Sequence, residues 1–85
     1  MNTAQLLERA TNAPNNLRFD DLVSLVEAFG FRLRRTRGSD RMFARPGLPE
    51  LVNLQDDRGK AKPYQVRAFL GLIERYNLNT GDKPA

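Results

Sequence analysis

The sequence predicts a two-layer α+β fold, with helices on one face of a three-stranded antiparallel sheet in the order α, α, β, β, β, α. Three observations point there. Apolar residues recur with a helical period up to residue 29 and again after residue 63, and with a period of two in between. Gly- and Pro-containing turns cut the middle stretch into three short runs, as an antiparallel meander requires. The 85 residues suffice for one core and leave no room for a second domain of ordinary size.

Residues 3–12 read as a short helix, with Thr3 as N-cap and Leu6, Leu7 and Ala10 as a thin apolar stripe. Ala13-Pro14-Asn15-Asn16 breaks it. Residues 19–29 read as a stronger amphipathic helix, because Leu22, Leu25, Val26 and Phe29 fall at i, i+3, i+4 and i+7. Asp20 and Asp21 lie in its first turn, where the helix dipole favours acids, and Gly30 is placed to end it in the left-handed conformation. Phe31-Arg32-Leu33-Arg34-Arg35-Thr36 then alternates apolar and basic, the mark of a first strand. Gly38-Ser39 is a turn, Asp40-Arg41-Met42-Phe43-Ala44-Arg45 a second strand, Pro46-Gly47-Leu48-Pro49 a turn, and Leu51-Val52-Asn53-Leu54-Gln55 a third strand. Unbroken alternation puts Phe31, Leu33, Arg35 and Arg37 on one strand face, with the two arginines escaping at the edge of the core, and leaves Arg32 and Arg34 to solvent. A polar loop follows at 56–62, Pro63 suits the first position of the last helix, and that helix runs to about Asn77 on a stripe of Val66, Phe69, Leu70, Ile73 and Tyr76. The expected organisation is a helical extension at 1–16, the main domain at 17–78 and a disordered tail at 79–85.

Absent residue types exclude whole classes of chemistry. With no Cys and no His there is no disulfide framework, no thiol nucleophile, no imidazole acid–base catalyst and no Cys or His metal ligand. Asp56-Asp57 is a lone acidic pair without the spacing of a calcium loop, so no metal is expected, and no motif calls for a cofactor. No apolar run approaches the ~20 residues of a membrane span, and the first sixteen residues lack the basic and apolar regions of a signal peptide. The expectation is a soluble, cytoplasmic protein with no membrane partner.

Charge is distributed unevenly. Residues 1–30 carry two Arg against four acids, whereas residues 31–45 carry six Arg against Asp40 alone. Arg58, Lys60 and Lys62 form a second basic cluster, and eleven of the fourteen basic residues are Arg. The guanidinium fork matches phosphate bidentately and stacks on bases, so an Arg-rich pattern on strands points to an anionic partner. Like charges on a sheet also repel unless an anion lies between them.

One stretch resembles a known family. A helix ending in Gly30-Phe31, the hairpin Arg37-Gly38-Ser39-Asp40-Arg41-Met42-Phe43, and a last helix introduced by Lys62-Pro63 resemble the HicA toxin family over about residues 18–78. The resemblance implies a double-stranded-RNA-binding-like α-β-β-β-α fold, and a ribosome-independent mRNA interferase of a toxin–antitoxin system. It further implies mRNA and a HicB-like antitoxin that masks the active site as partners. Gly38 and Ser39 match the family's Gly-Ser-His hairpin and Phe43 its aromatic residue, but Asp40 stands where the family has its functional His. A carboxylate accepts protons and hydrogen bonds yet is a poor acid for a leaving 5′-oxygen, so the substitution predicts reduced or absent cleavage. A divergent member, an RNA binder without cleavage and a disarmed form all fit.

The residues allow a role and a plain structural explanation side by side. Asp40 opens the second strand either as a turn residue bonding its own backbone or as a catalytic or substrate-contacting group. Gly38 supplies a positive φ in the hairpin, and its amide with that of Ser39 is also placed to meet a phosphate. Arg35, Arg37 and Arg41 are candidate RNA contacts beside Asp40. Arg58, Lys60 and Lys62 precede a helix N-terminus, where cations and helix dipole together suit an anion, or form an ordinary solvated loop. Of two rings able to stack on bases, Phe43 reads as core and Tyr64 as exposed. Three functions remain open: a HicA-like ribonuclease, a non-catalytic RNA-binding module, and a domain whose basic face meets an acidic protein such as an antitoxin.

Overall fold

Helix boundaries follow the caps that the sequence supplies. The structure, a computed structural model, describes residues 1–80, so the expected tail lies outside the described residues from position 81 onward. Helix α1 (Thr3–Asn12) is capped by Asn2 and not by Thr3. The Asn2 side chain accepts from the Gln5 N–H at 2.8 Å while the Gln5 side chain accepts from the Asn2 N–H at 3.0 Å. Only a cap at position 2 puts Gln5 at the third helical position, where it closes this reciprocal box. After a single 3-10 turn (Pro14–Asn16), helix α2 (Phe19–Ala28) ends at Gly30, whose φ of 93° is the left-handed stop expected of it. Arg32 then donates to the carbonyls of Phe31 and Glu27 at 3.0 and 3.4 Å, so this arginine satisfies the end of α2.

Strands β1 (Arg32–Arg37), β2 (Asp40–Ala44) and β3 (Val52–Gln55) form an antiparallel sheet in the order β1-β2-β3, followed by helix α3 (Pro63–Tyr76). The architecture is the predicted α+β arrangement of helices and a three-stranded open sheet. Helix α1 is part of the same core and not an appendage, since Leu6 and Ala10 are buried in it with residues of α2 and α3. The aromatic centre of that core is Phe69 of α3, with the rings of Phe29 and Phe31 edge-on at 5.8 and 5.7 Å. Phe43, Val52 and Leu54 complete it from the sheet.

The first strand departs from simple alternation. Leu33 pairs with Phe43 and Arg35 with Met42, so two steps on β1 oppose one step on β2 and Arg34 is the extra residue of a β-bulge. Beyond the bulge, Arg35 and Arg37 lie across from Met42 and Asp40, on the sheet face away from the helices. The expectation that these arginines share the face of Leu33 is thereby reversed. Leu33 also fails to enter the core: it is 47% exposed, and all six residues of β1 are exposed.

Candidate functional site

Two rows of paired residues cross the open face of the sheet. One row runs Arg37, Asp40, Gln55 and the next runs Arg35, Met42, Asn53. Period two explains the membership on β2 and β3: Phe43, Val52 and Leu54 turn inward, so Asp40, Met42, Asn53 and Gln55 turn outward. Arg35, Arg37, Asp40, Met42 and Asn53 line a shallow depression of about 150 Å³, with half-buried Met42 as its apolar element. Enclosing sites for small molecules run to roughly 300–1,000 Å³, so this depression suits one planar group and not a whole cofactor.

Its charged side chains make no contact pairs among the described residues: those of Arg35, Arg37 and Asp40 have neither a hydrogen-bond nor an ion-pair partner. Asp40 therefore makes no side-chain hydrogen bond to its own turn. The turn itself needs glycine: Gly38 has a φ of 58° and Ser39 does not share the positive sign, the pattern of a type II′ hairpin. The Ser39 carbonyl accepts from the Asp56 N–H at 3.1 Å and its hydroxyl accepts from Gln55 Nε2 at 3.5 Å, which ties the hairpin tip to the end of β3.

Arg41 is separated from Asp40. It lies on the helix side of the sheet, with its guanidinium carbon 4.9 Å from the centre of the Phe19 ring, a cation–π contact. Adjacent positions on one strand point to opposite faces, so Arg41 does not share the face of Asp40.

Arg58, Lys60 and Lys62 sit on a loop that is more ordered than its polar composition suggests. Asp57 and Lys60 exchange backbone hydrogen bonds of 3.0 and 3.1 Å around Arg58 and Gly59, both with positive φ, and the Asp56 side chain accepts from the Gly59 N–H at 2.7 Å. The loop is also paired to the start of α2, through Phe19 N–H to the Gly59 carbonyl and Ala61 N–H to the Leu17 carbonyl, both 3.0 Å. This bridge sets Arg18 against Lys60. Arg18 thus joins the second basic cluster, and no local pattern signals a pairing across forty residues. Arg58 is tempered by Asp57, 3.6 Å away.

Sequence reasoning also missed Met42, Asn53 and Gln55 as members of the site, although the period of β2 and β3 carries that information. Gln65 is another omission: it is buried on α3, and its side-chain Oε1 accepts from the Gln55 N–H at 2.9 Å, holding the end of β3 against the helix. Tyr64 is exposed at 58%, and its hydroxyl accepts from Gln65 Nε2 at 3.3 Å, outside the depression. No helix among the described residues is long and apolar enough to cross a membrane. Comparison with protein-family models, with characterised proteins and with solved structures finds no match for this chain.

Proposed function

We propose that this chain is an RNA-binding protein of HicA-like toxin type, that the open sheet face is its RNA contact, and that its cleavage step is weakened or lost at Asp40. The observation that carries the reading is the grouping of Arg35 and Arg37, both unpaired among the described residues, around the Gly38-Ser39 hairpin and Asp40. Two free guanidinium groups on a solvent-facing sheet fit phosphate, and exchanging bound counterions for them favours a polyanion. The cluster of Arg18, Arg58, Lys60 and Lys62 is a second basic group that a polyanion could meet. A HicB-like antitoxin would find the same open face to cover.

Cleavage would require a group that donates a proton to the leaving 5′-oxygen. Asp40 occupies the hairpin position for it but offers an acceptor, and Arg35 and Arg37 remain to steady charge on the phosphate. The test incubates the chain and its Asp40→His variant with labelled mRNA in EDTA and follows products on a gel, beside salt-dependent anisotropy of RNA binding. Binding by both proteins with cleavage by the variant alone is the expected result. Absence of RNA binding by the unaltered chain at low salt would overturn the reading.

A further inference from the structure

The depression on the open face carries charges of both signs with no ion pair or hydrogen bond between them among the described residues, and this narrows its ligand. Arg35 and Arg37 offer only donors, Asp40 offers only acceptors, and none of them spends its capacity on another described side chain. A simple anion would suit the arginines and be repelled by Asp40, and a simple cation would meet the reverse problem. A ligand that satisfies both halves carries an anionic group and, a few ångströms away, a neutral patch of donors. A nucleotide within RNA has this form, with its phosphate separated from the edge of its base.

The four bases differ in what they show a carboxylate. Guanine presents two neighbouring donors, N1–H and the N2 amino group, which match the two oxygens of one carboxylate. Adenine and cytosine present one amino group beside a ring acceptor. Uracil presents one N–H flanked by two carbonyls, which face a carboxylate unfavourably. Half-buried Met42 lies next to Asp40 in the depression as an apolar surface for a ring, and exposed Asn53 adds an amide donor for a base carbonyl. We infer that the depression is a guanine-preferring base subsite for single-stranded RNA, in which Asp40 accepts from N1–H and the N2 amino group while Arg35 and Arg37 hold adjoining phosphates. This rests on the RNA reading given above and goes beyond it in naming the base and the residue that reads it.

The test measures fluorescence anisotropy of labelled uridine oligomers carrying one central G, A or C, or none, with 5′-GMP as a separate ligand. A good bidentate base contact discriminates by roughly tenfold, so the G oligomer is expected to bind about that much tighter than oligouridine. Asp40→Asn should bring the G oligomer toward the oligouridine level, with unaltered thermal unfolding as the check on folding. Arg35→Ala should weaken every oligomer by a similar factor and keep the preference. Equal binding of G and U oligomers by the unaltered chain, or a preference that survives Asp40→Asn, overturns the subsite but leaves RNA binding intact. Binding of no oligomer overturns the RNA reading itself. If 5′-GMP alone binds as tightly as the G oligomer, a free nucleotide is the ligand and the RNA source is overturned.

Discussion

On the covered face of the sheet Phe43, Val52 and Leu54 are buried beneath the helices, whereas on the open face Asp40, Met42 and Asn53, drawn from the same two strands, meet solvent. β2 and β3 divide their residues between the faces by simple alternation. β1 does not, and one bulged residue, Arg34, lets Leu33 stay opposite Phe43 on the helix side while Arg35 and Arg37 join the open face. The difference shows how a strand with four arginines avoids placing any of them under the core. It also separates two energetic roles. The covered face supplies stability through apolar burial, and the open face carries Arg35, Arg37 and Asp40 without side-chain partners among the described residues.

The sharpest way to break this contrast is to compare one core ring with the paired arginines. Phe69 touches both Phe29 and Phe31, so Phe69→Ala removes a large buried side chain from the centre of the core. It should cost about 3–5 kcal/mol in urea unfolding. Arg35→Ala combined with Arg37→Ala removes exposed groups without described partners and should change stability by about 1 kcal/mol or less in total. On the RNA reading proposed above, the same double variant should lower RNA affinity and flatten its salt dependence by about 1.4 in the log–log slope, the value for two lost phosphate contacts on a single strand. A double variant as destabilised as Phe69→Ala would show that the open face is structural.

Gly38 tests the hairpin that joins the faces. Its φ of 58° lies in the left-handed region, and a Cβ built there would meet nothing within 4 Å. Gly38→Ala therefore isolates backbone conformation from crowding, and urea unfolding should show a loss of about 1 kcal/mol. An unchanged midpoint would mean that the turn relaxes to another conformation, and Asp40 with it.

Much of this was legible in the chain. Helix positions, the three strands, the burial of Phe43, the exposure of Tyr64 and the stop at Gly30 all follow from period and turn chemistry. The bulge was not legible, because Arg32, Arg34, Arg35 and Arg37 offer no apolar marker beyond Leu33 to fix which face each takes. Hence simple alternation reverses the faces of Arg35 and Arg37, and adjacency in sequence groups Arg41 with Asp40 although it lies against Phe19. Residue type alone does not single out Asn2 as the cap, because Thr3 is also a capping residue type, and Gln5 decides between them only through the reciprocal bond. The pairing of Arg18 with Lys60 depends on backbone bonds between distant segments, which leave no periodic trace.

The smallest effect should come from the charges that do find partners. Glu50, in the connection before β3, accepts from Arg75 Nη1 at 2.9 and 3.0 Å, tying that connection to the end of α3. Hydrogen bonding from the Tyr76 hydroxyl, and then the Arg75 guanidinium, hold the Glu50 carboxyl below its ordinary 4.5. The same bond to Glu50 holds the Tyr76 hydroxyl above its ordinary 10.0. A depressed carboxyl stabilises the fold above its unfolded value and loses that contribution as pH falls through the folded one. A raised phenol contributes below its unfolded value and loses its contribution as pH rises through the folded one. The Tm difference between the unaltered chain and Glu50→Gln should thus be small and positive near neutrality, and shrink toward both acid and strong alkali. Added salt should reduce it further, because the pair is solvent-facing. A difference that stayed flat from acid to alkali would mean that Glu50 acts by packing, and that paired charge adds nothing to the helix side that the unpaired open face lacks.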